Sequence, residues 1–178
     1  MLRVLLSVIL AAWTANLARG QEPAPVVQAK WVMATDAAHA NSTFKVAVVA
    51  TVSPGYHIND HKPTLTYLIP TELKLEPLKQ ISVKDVVYPK GRLKKFGFSD
   101  GPLSVYEGTV TVGTLLEVAR AVPPGAYTLK GKFAYQACND HACLPPASVP
   151  LTLTLKVVPR SVPLRHMNAD VFERIQLE

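Results

Sequence analysis

The chain has 178 residues, 48% of them hydrophobic and 18% charged, with a formal net charge of +6. That length and apolar content exclude a disordered or low-complexity chain and are ample for one domain with a real core. The basic excess is small and its lysines are scattered, which excludes a nucleic-acid footprint.

Residues 1–20 read as an export signal. Arg3 supplies the positive start, Val4 to Trp13 is an apolar run too short to span a bilayer, and Ala18 and Gly20 place small residues before a cut ahead of Gln21. Removing this segment leaves 158 residues and a net charge of +4, because Arg3 and Arg19 leave with it. No later stretch is apolar enough to cross a membrane, so the mature protein is expected to be soluble outside the cytoplasm.

Gln21 to Pro25 is a short polar lead-in, and strand signals follow. The spacing predicts strands over Val26–Met33, Thr64–Ile69, Ile81–Val87 and Val105–Val112. Three further runs show strict period-two alternation: Phe44-Val46-Val48-Ala50-Val52, Tyr127-Leu129-Gly131-Phe133-Tyr135 and Val149-Leu151-Leu153-Leu155-Val157. Such alternation puts one face on a core and the other in water. Turn chemistry separates the runs at Ser53-Pro54-Gly55, Pro89-Lys90-Gly91, Asp100-Gly101-Pro102 and Pro123-Pro124-Gly125. Fifteen prolines argue against long helices. Seven or more short strands with such turns indicate an all-β sandwich, with a β-barrel as the alternative. The domain is expected over residues 21–160. In the tail, 161–178, the alternation breaks, and either Asn168 or Asp170 caps a short helix through Val171 and Ile175 or the tail frays.

Only two cysteines occur, Cys138 and Cys143, in Tyr135-Gln-Ala-Cys-Asn-Asp-His-Ala-Cys-Leu-Pro-Pro146. In an exported protein such a pair is either a local staple or a redox couple. Closing so small a ring stabilises by only about 2 kcal/mol in the chain-entropy model. Thiol exchange needs an accessible thiolate and a second thiol near enough to resolve the mixed disulfide. His141 inside the ring either lowers a thiol pKa or is simply solvated. Spacing alone leaves staple and couple open; zinc fits less well, because a fourth ligand is not evident.

His57 and His61 would share a face four residues apart on a strand, but about 13 Å apart. That is too far for one ion, so they read as polar loop residues. Asn41-Ser-Thr43 matches a glycosylation acceptor, which matters only in a eukaryotic secretory route. Trp31 reads as a core or interface anchor. The cluster Lys90, Arg92, Lys94 and Lys95 reads as a solvated loop, with a partner-facing patch as the other reading.

The segment from Tyr135-Gln-Ala-Cys138 to Cys143-Leu-Pro-Pro146 resembles the redox motif of the N-terminal periplasmic domain of the thiol:disulfide interchange protein DsbD. Pro54-Gly-Tyr-His-Ile-Asn59 with Leu68-Ile-Pro-Thr71 is similar to that domain's early strands. Val87-Tyr-Pro-Lys-Gly91 leading to Val105-Tyr-Glu-Gly108 is similar to the segment carrying its cap loop. The resemblance covers about residues 27–158. It implies an immunoglobulin-like sandwich with the cysteines at one end. It implies that Cys143 attacks a client disulfide, that Cys138 completes the exchange, and that no cofactor takes part. It also implies an aromatic cap over the pair, for which Phe98 is the first candidate and Phe96 the second, with Tyr56 as another aromatic near the cysteines. Implied partners are periplasmic thioredoxin-like proteins, including disulfide isomerases and cytochrome c maturation factors, and a membrane-embedded reductase as electron donor.

Two departures stand out. Some relatives carry acidic residues before the cap aromatic, where this chain has Lys94 and Lys95, with Asp100 the nearest acid. The chain also ends at Glu178, without the transmembrane and thioredoxin-like domains of full-length DsbD, so its reductant is expected to be a separate membrane protein. The leading expectation is therefore a periplasmic exchange domain that hands reducing equivalents to thioredoxin-like clients. The alternatives are a binding module with a structural disulfide and a metal carrier using Cys138, Cys143 and a histidine.

Overall fold

A strand with one apolar face must pair along its edges and bury that face against a second layer. The computed structural model describes residues 25–175 and Leu177. Among these residues the chain runs β1 (Val27–Met33), β2 (Ala38–His39), β3 (Ser42–Val52), β4 (His57–Asn59), β5 (Glu72–Leu75), β6 (Ile81–Val87), β7 (Arg92–Lys94), β8 (Leu103–Tyr106), β9 (Thr109–Val118), β10 (Gly125–Tyr135), β11 (Ala137–Cys138), β12 (Ala147–Val158) and a short helix α1 (Ala169–Phe172). Residues 1–20, read as an export signal, lie outside the described residues. No helix among the described residues is long and apolar enough to cross a membrane.

The architecture is an immunoglobulin-like β-sandwich. One sheet has the order β1-β3-β9-β6 and the other β2-β12-β10-β5. Pairing is antiparallel except between β12 and β2. Phe44, Val46, Leu116 and Val118 of the first sheet meet Leu129, Leu153 and Leu155 of the second in one buried cluster. A second cluster joins Val48, Val112 and Phe133 to Ile58, Tyr106 and Ala137. Those last three belong to a small third sheet, β11-β4-β8-β7, which closes one end of the sandwich. Trp31 packs against both clusters.

The three alternating runs form β3, β10 and β12, and the predicted runs at 26–33 and 81–87 form β1 and β6. Two expectations fail. Thr64–Ile69 is not a strand. It is a turn, closed by Leu68 N–H donating to the Leu65 carbonyl at 3.1 Å. Pro63 and Pro70 flank it and cannot donate to a ladder. Leu65 and Leu68 instead pack on Phe96, Leu103 and Val105. The strand here is β5, which pairs with β10 through Leu73 and Phe133. The run Val105–Val112 is two strands in two different sheets. Gly108, at φ 65°, makes the break, and its carbonyl accepts from Val52 N–H at 2.8 Å.

The other turns follow their residues. Ser53-Pro54-Gly55-Tyr56 closes with Tyr56 N–H on the Ser53 carbonyl at 3.1 Å and Gly55 at φ 80°. Asn41 takes φ 54° in the turn before β3, a conformation that asparagine tolerates. The tail is docked rather than frayed. Met167 N–H donates to the Ala34 carbonyl at 2.9 Å, Asn168 Nδ2 to the Met33 carbonyl at 2.9 Å, and Leu177 is buried. Asn168 stands at the start of α1 but makes no side-chain cap.

Polar contacts fasten the third sheet. The carboxylate of Asp60, just past β4, accepts from the Ser104 hydroxyl at 2.6 Å and from the Tyr106 hydroxyl. Thr71 Oγ1 donates to the buried Asn59 carbonyl at 2.6 Å. Gly91 lies so close that a Cβ there would strike Asp60 Oδ2 and Ser104 Oγ. Burial pushes the Asp60 carboxyl up, but hydrogen bonds from Ser104, Tyr106 and the Lys62 and His61 backbone outweigh it and hold the group below its ordinary value of 3.8.

Two outcomes are expected. Phe133 is fully buried where the large sheets meet the third, so Phe133→Ala should cost about 3–5 kcal/mol in denaturant unfolding. Asp60→Asn should cost on the order of 2 kcal/mol at neutral pH. A depressed carboxyl stabilises the fold above its unfolded value of 3.8 and loses that contribution as pH falls through its lower folded value. The gap between wild type and Asp60→Asn should therefore close below that pH; a constant gap down to pH 2 would refute the assignment.

Candidate functional site

The cysteine segment is a tight hairpin on the rim of the third sheet. After β10 the chain enters β11, where Ala137 pairs with Ile58 and Cys138 with His57. It then turns back. Asn139 N–H donates to the Ala142 carbonyl at 3.0 Å, and Asn139 Oδ1 accepts from the N–H groups of His141 and Ala142 at 2.9 and 2.8 Å. An asparagine side chain that satisfies the amides ahead of it holds such a turn without a longer ladder. Cys143 lands opposite Cys138, and the two form a disulfide. Leu144 N–H reaches the Ala137 carbonyl at 2.8 Å, and Gln136 Nε2 the Leu144 carbonyl at 3.2 Å. Pro145 and Pro146 then lead into β12, where a proline has no N–H to lose.

The two sulfurs stand in different surroundings. Cys138 is 1% exposed and sits in the sheet, whereas Cys143 lies on the surface. His141 is exposed and touches the turn through its backbone, with no side-chain hydrogen bond. Tyr56 is half-buried against the core. Together with Tyr135, Leu144 and Pro145 it lines a shallow, mostly apolar depression beside the hairpin.

The loop between β7 and β8 carries the two phenylalanines. Phe96 is buried and stacks on the His57 ring with centroids 4.1 Å apart. Phe98 stacks on Phe96 at 5.3 Å and is 46% exposed. The sequence ranks Phe98 first as cap; in the structure Phe96 is the ring seated inside, on the histidine that pairs with Cys138. Ser99 Oγ donates to the Gly101 carbonyl at 2.7 Å and tightens the loop tip. The Lys94 ammonium lies 5.2 Å from the Phe96 ring centroid and pairs with Glu107 at 2.7 Å. That bond raises the Lys94 pKa. The lysine that stands where some relatives carry an acid is thus matched by a carboxylate from the β8–β9 turn. Lys90, Arg92 and Lys95 are exposed around it.

His57 is the residue that sequence reasoning missed. It is a strand residue, 2% exposed, and not part of a polar loop. Its Nε2 is buried without a hydrogen-bond partner. Burial lowers its pKa, Lys94 adds to the lowering, and Glu107 and Asp140 oppose it. The ring is therefore neutral at pH 7. Its partner lies far along the chain, so no local pattern announced the pairing. The structure does not bring His61 to it. His61 stacks on Tyr88 at 3.6 Å, with Nδ1 3.0 Å from the Thr71 carbonyl. Among the described residues, no three His, Cys, Asp or Glu side chains gather to hold a metal.

No curated protein matches the chain. Of solved structures, the N-terminal periplasmic domain of ScsB from Proteus mirabilis is similar, with 18% identity and a TM-score of 0.51 over 83% of this chain and 50% of that one. The DsbD N-terminal domain from Neisseria meningitidis in the reduced form has 19% identity and a TM-score of 0.45 over 78% and 88%. The complex between the DsbD and PilB N-terminal domains of Neisseria meningitidis gives 21% identity and a TM-score of 0.42 over 73% and 88%. The model of the family "Thiol:disulfide interchange protein DsbD, N-terminal" matches residues 24–154, most of the chain. With its sandwich and rim disulfide, the chain belongs to that family.

Proposed function

We propose that this protein is a periplasmic thiol:disulfide exchange domain that passes reducing equivalents to thioredoxin-like clients through Cys138 and Cys143. One observation carries the reading: a disulfide joins an exposed cysteine to a buried one at the rim of the sandwich. Family membership supports it. In the reduced protein the Cys143 thiolate attacks the client disulfide, and a Cys143–client bond forms as the client's other sulfur leaves and takes a proton. Cys138 Sγ then gives up its proton and attacks Cys143 Sγ. The client sulfur departs as the second thiol, and the disulfide between Cys138 and Cys143 is restored. The client is thereby reduced by two electrons and this protein oxidised by two. A membrane-embedded reductase returns the electrons.

Phe96 and Phe98 form the cover that a client must displace, and Tyr56 lines the client side. The hairpin contributes little else to the core, since Asp140, His141, Ala142 and Cys143 are all exposed. A purely structural staple there would join two segments that the hairpin's own bonds, Asn139 N–H to the Ala142 carbonyl and Leu144 N–H to the Ala137 carbonyl, already hold together.

Two measurements test the reading. Cys138→Ala, mixed with an oxidised thioredoxin-like client, should accumulate a mixed disulfide through Cys143, while Cys143→Ala should accumulate far less. The wild-type couple should equilibrate above about −300 mV, the upper bound typical of structural disulfides. No trapped species, together with a potential below that bound, would leave only a stapled binding module.

A further inference from the structure

The buried histidine has no role in the exchange reading, yet it stands across the ladder from the buried cysteine. His57 and Cys138 are register partners on antiparallel strands. Such partners project to the same face, with Cβ atoms about 4.5–5.5 Å apart. An imidazole and a thiol at that spacing are within reach of a hydrogen bond. Phe96 stacks on the ring and shuts out solvent. The His57 Nε2 is one of few buried polar side-chain atoms left without a partner. Such an orphan costs about 1–3 kcal/mol and calls for an explanation.

The state of the sulfurs supplies one. In the disulfide Cys138 has no S–H to offer. In the dithiol it has one, on the strand residue paired with a histidine whose ring nitrogen lacks a partner. We propose that His57 is the proton acceptor for Cys138. It takes the thiol proton as Cys138 Sγ attacks the mixed disulfide, while the departing client thiolate takes its proton from solvent. The Cys138–Cys143 bond forms, the Cys143–client bond breaks, the Cys138 proton moves to His57 and from there to solvent, and the client sulfur gains one from solvent, with no net change on the ring. The proposal rests on the exchange reading and assigns a residue within it.

The charges around His57 suit that task. Lys94 on β7 disfavours the imidazolium, while Glu107 from the β8–β9 turn and Asp140 from the cysteine hairpin favour it. Burial keeps the ring neutral at rest, ready to accept. The carboxylates of Glu107 and Asp140 then stabilise the transient cation. A merely structural His57 would serve only as a flat surface beneath Phe96.

His57→Gln separates these roles, because glutamine keeps a polar side chain but cannot relay a proton. The full chain in its reduced form is mixed with an oxidised thioredoxin-like client and acid-quenched at intervals, so that mixed disulfide and final product are counted separately. At pH 7, His57→Gln should slow resolution on the order of 100-fold and let mixed disulfide accumulate. In a Cys138→Ala background it should change attack through Cys143 by no more than about twofold, since general-base help is asked for only at the second sulfur. The resolution defect should shrink to a few-fold once the pH exceeds the Cys138 thiol's own pKa. An equal defect at every pH, or none, overturns the proposal. Absence of any trapped species in Cys138→Ala alone would instead sink the exchange reading. Should His57→Gln fail to fold, the wild-type dithiol decides. By NMR the His57 ring signals should report the Cys138 ionisation, and that inflection should vanish in Cys138→Ala; a ring blind to Cys138 refutes the relay.

Discussion

Strand β4 is three residues long, and both of its edges are used. On one side it pairs with β11, which carries Cys138; on the other it pairs with β8, which carries the cap loop with β7. Ile58 in its centre is fully buried and ties this small sheet into the core. Each backbone bond is worth about 1 kcal/mol, so three residues alone would not hold two partners. The buried Ile58 and the Asp60, Asn59 and Thr71 contacts provide the rest. Everything at the site is placed relative to this strand.

That placement makes the two sulfurs unequal. A strand residue facing inward is buried, and a residue one turn later on the rim is not. The Asn139 turn reverses the chain quickly enough to put Cys143 opposite Cys138 with four residues between them. The buried cysteine and the exposed one are therefore distinguished by the sheet. The prolines after Cys143 keep the chain from extending the ladder, so the rim stays free at that point.

The loop between β7 and β8 follows the same logic with side chains. Phe96 is held from below by His57 and from the side by Leu103 and Val105, while Lys94 and Glu107 pair beside it. Phe98 rests on Phe96 and faces water. Local stability there is low, because the loop from 95 to 102 makes few backbone bonds beyond Ser99.

The all-β class, the three long strands, the turn at Ser53-Pro54-Gly55 and the cysteine pair were legible in the residues, because period-two alternation, glycine and proline act within a few positions of themselves. The strand assigned to Thr64–Ile69 was wrong, because apolar alternation records burial but not the layer that provides it. Leu65 and Leu68 bury under Phe96 while the backbone turns. The break at Gly108 was hidden for a related reason: two strands that follow one another in sequence keep their alternation while changing sheets. The sequence by itself determined that two nearby cysteines sit in a β domain. Only the tertiary structure decided that one sulfur is buried beside His57 and which aromatic ring lies on that histidine. Those facts depend on pairing between segments far apart in the chain, which no local pattern of residues encodes.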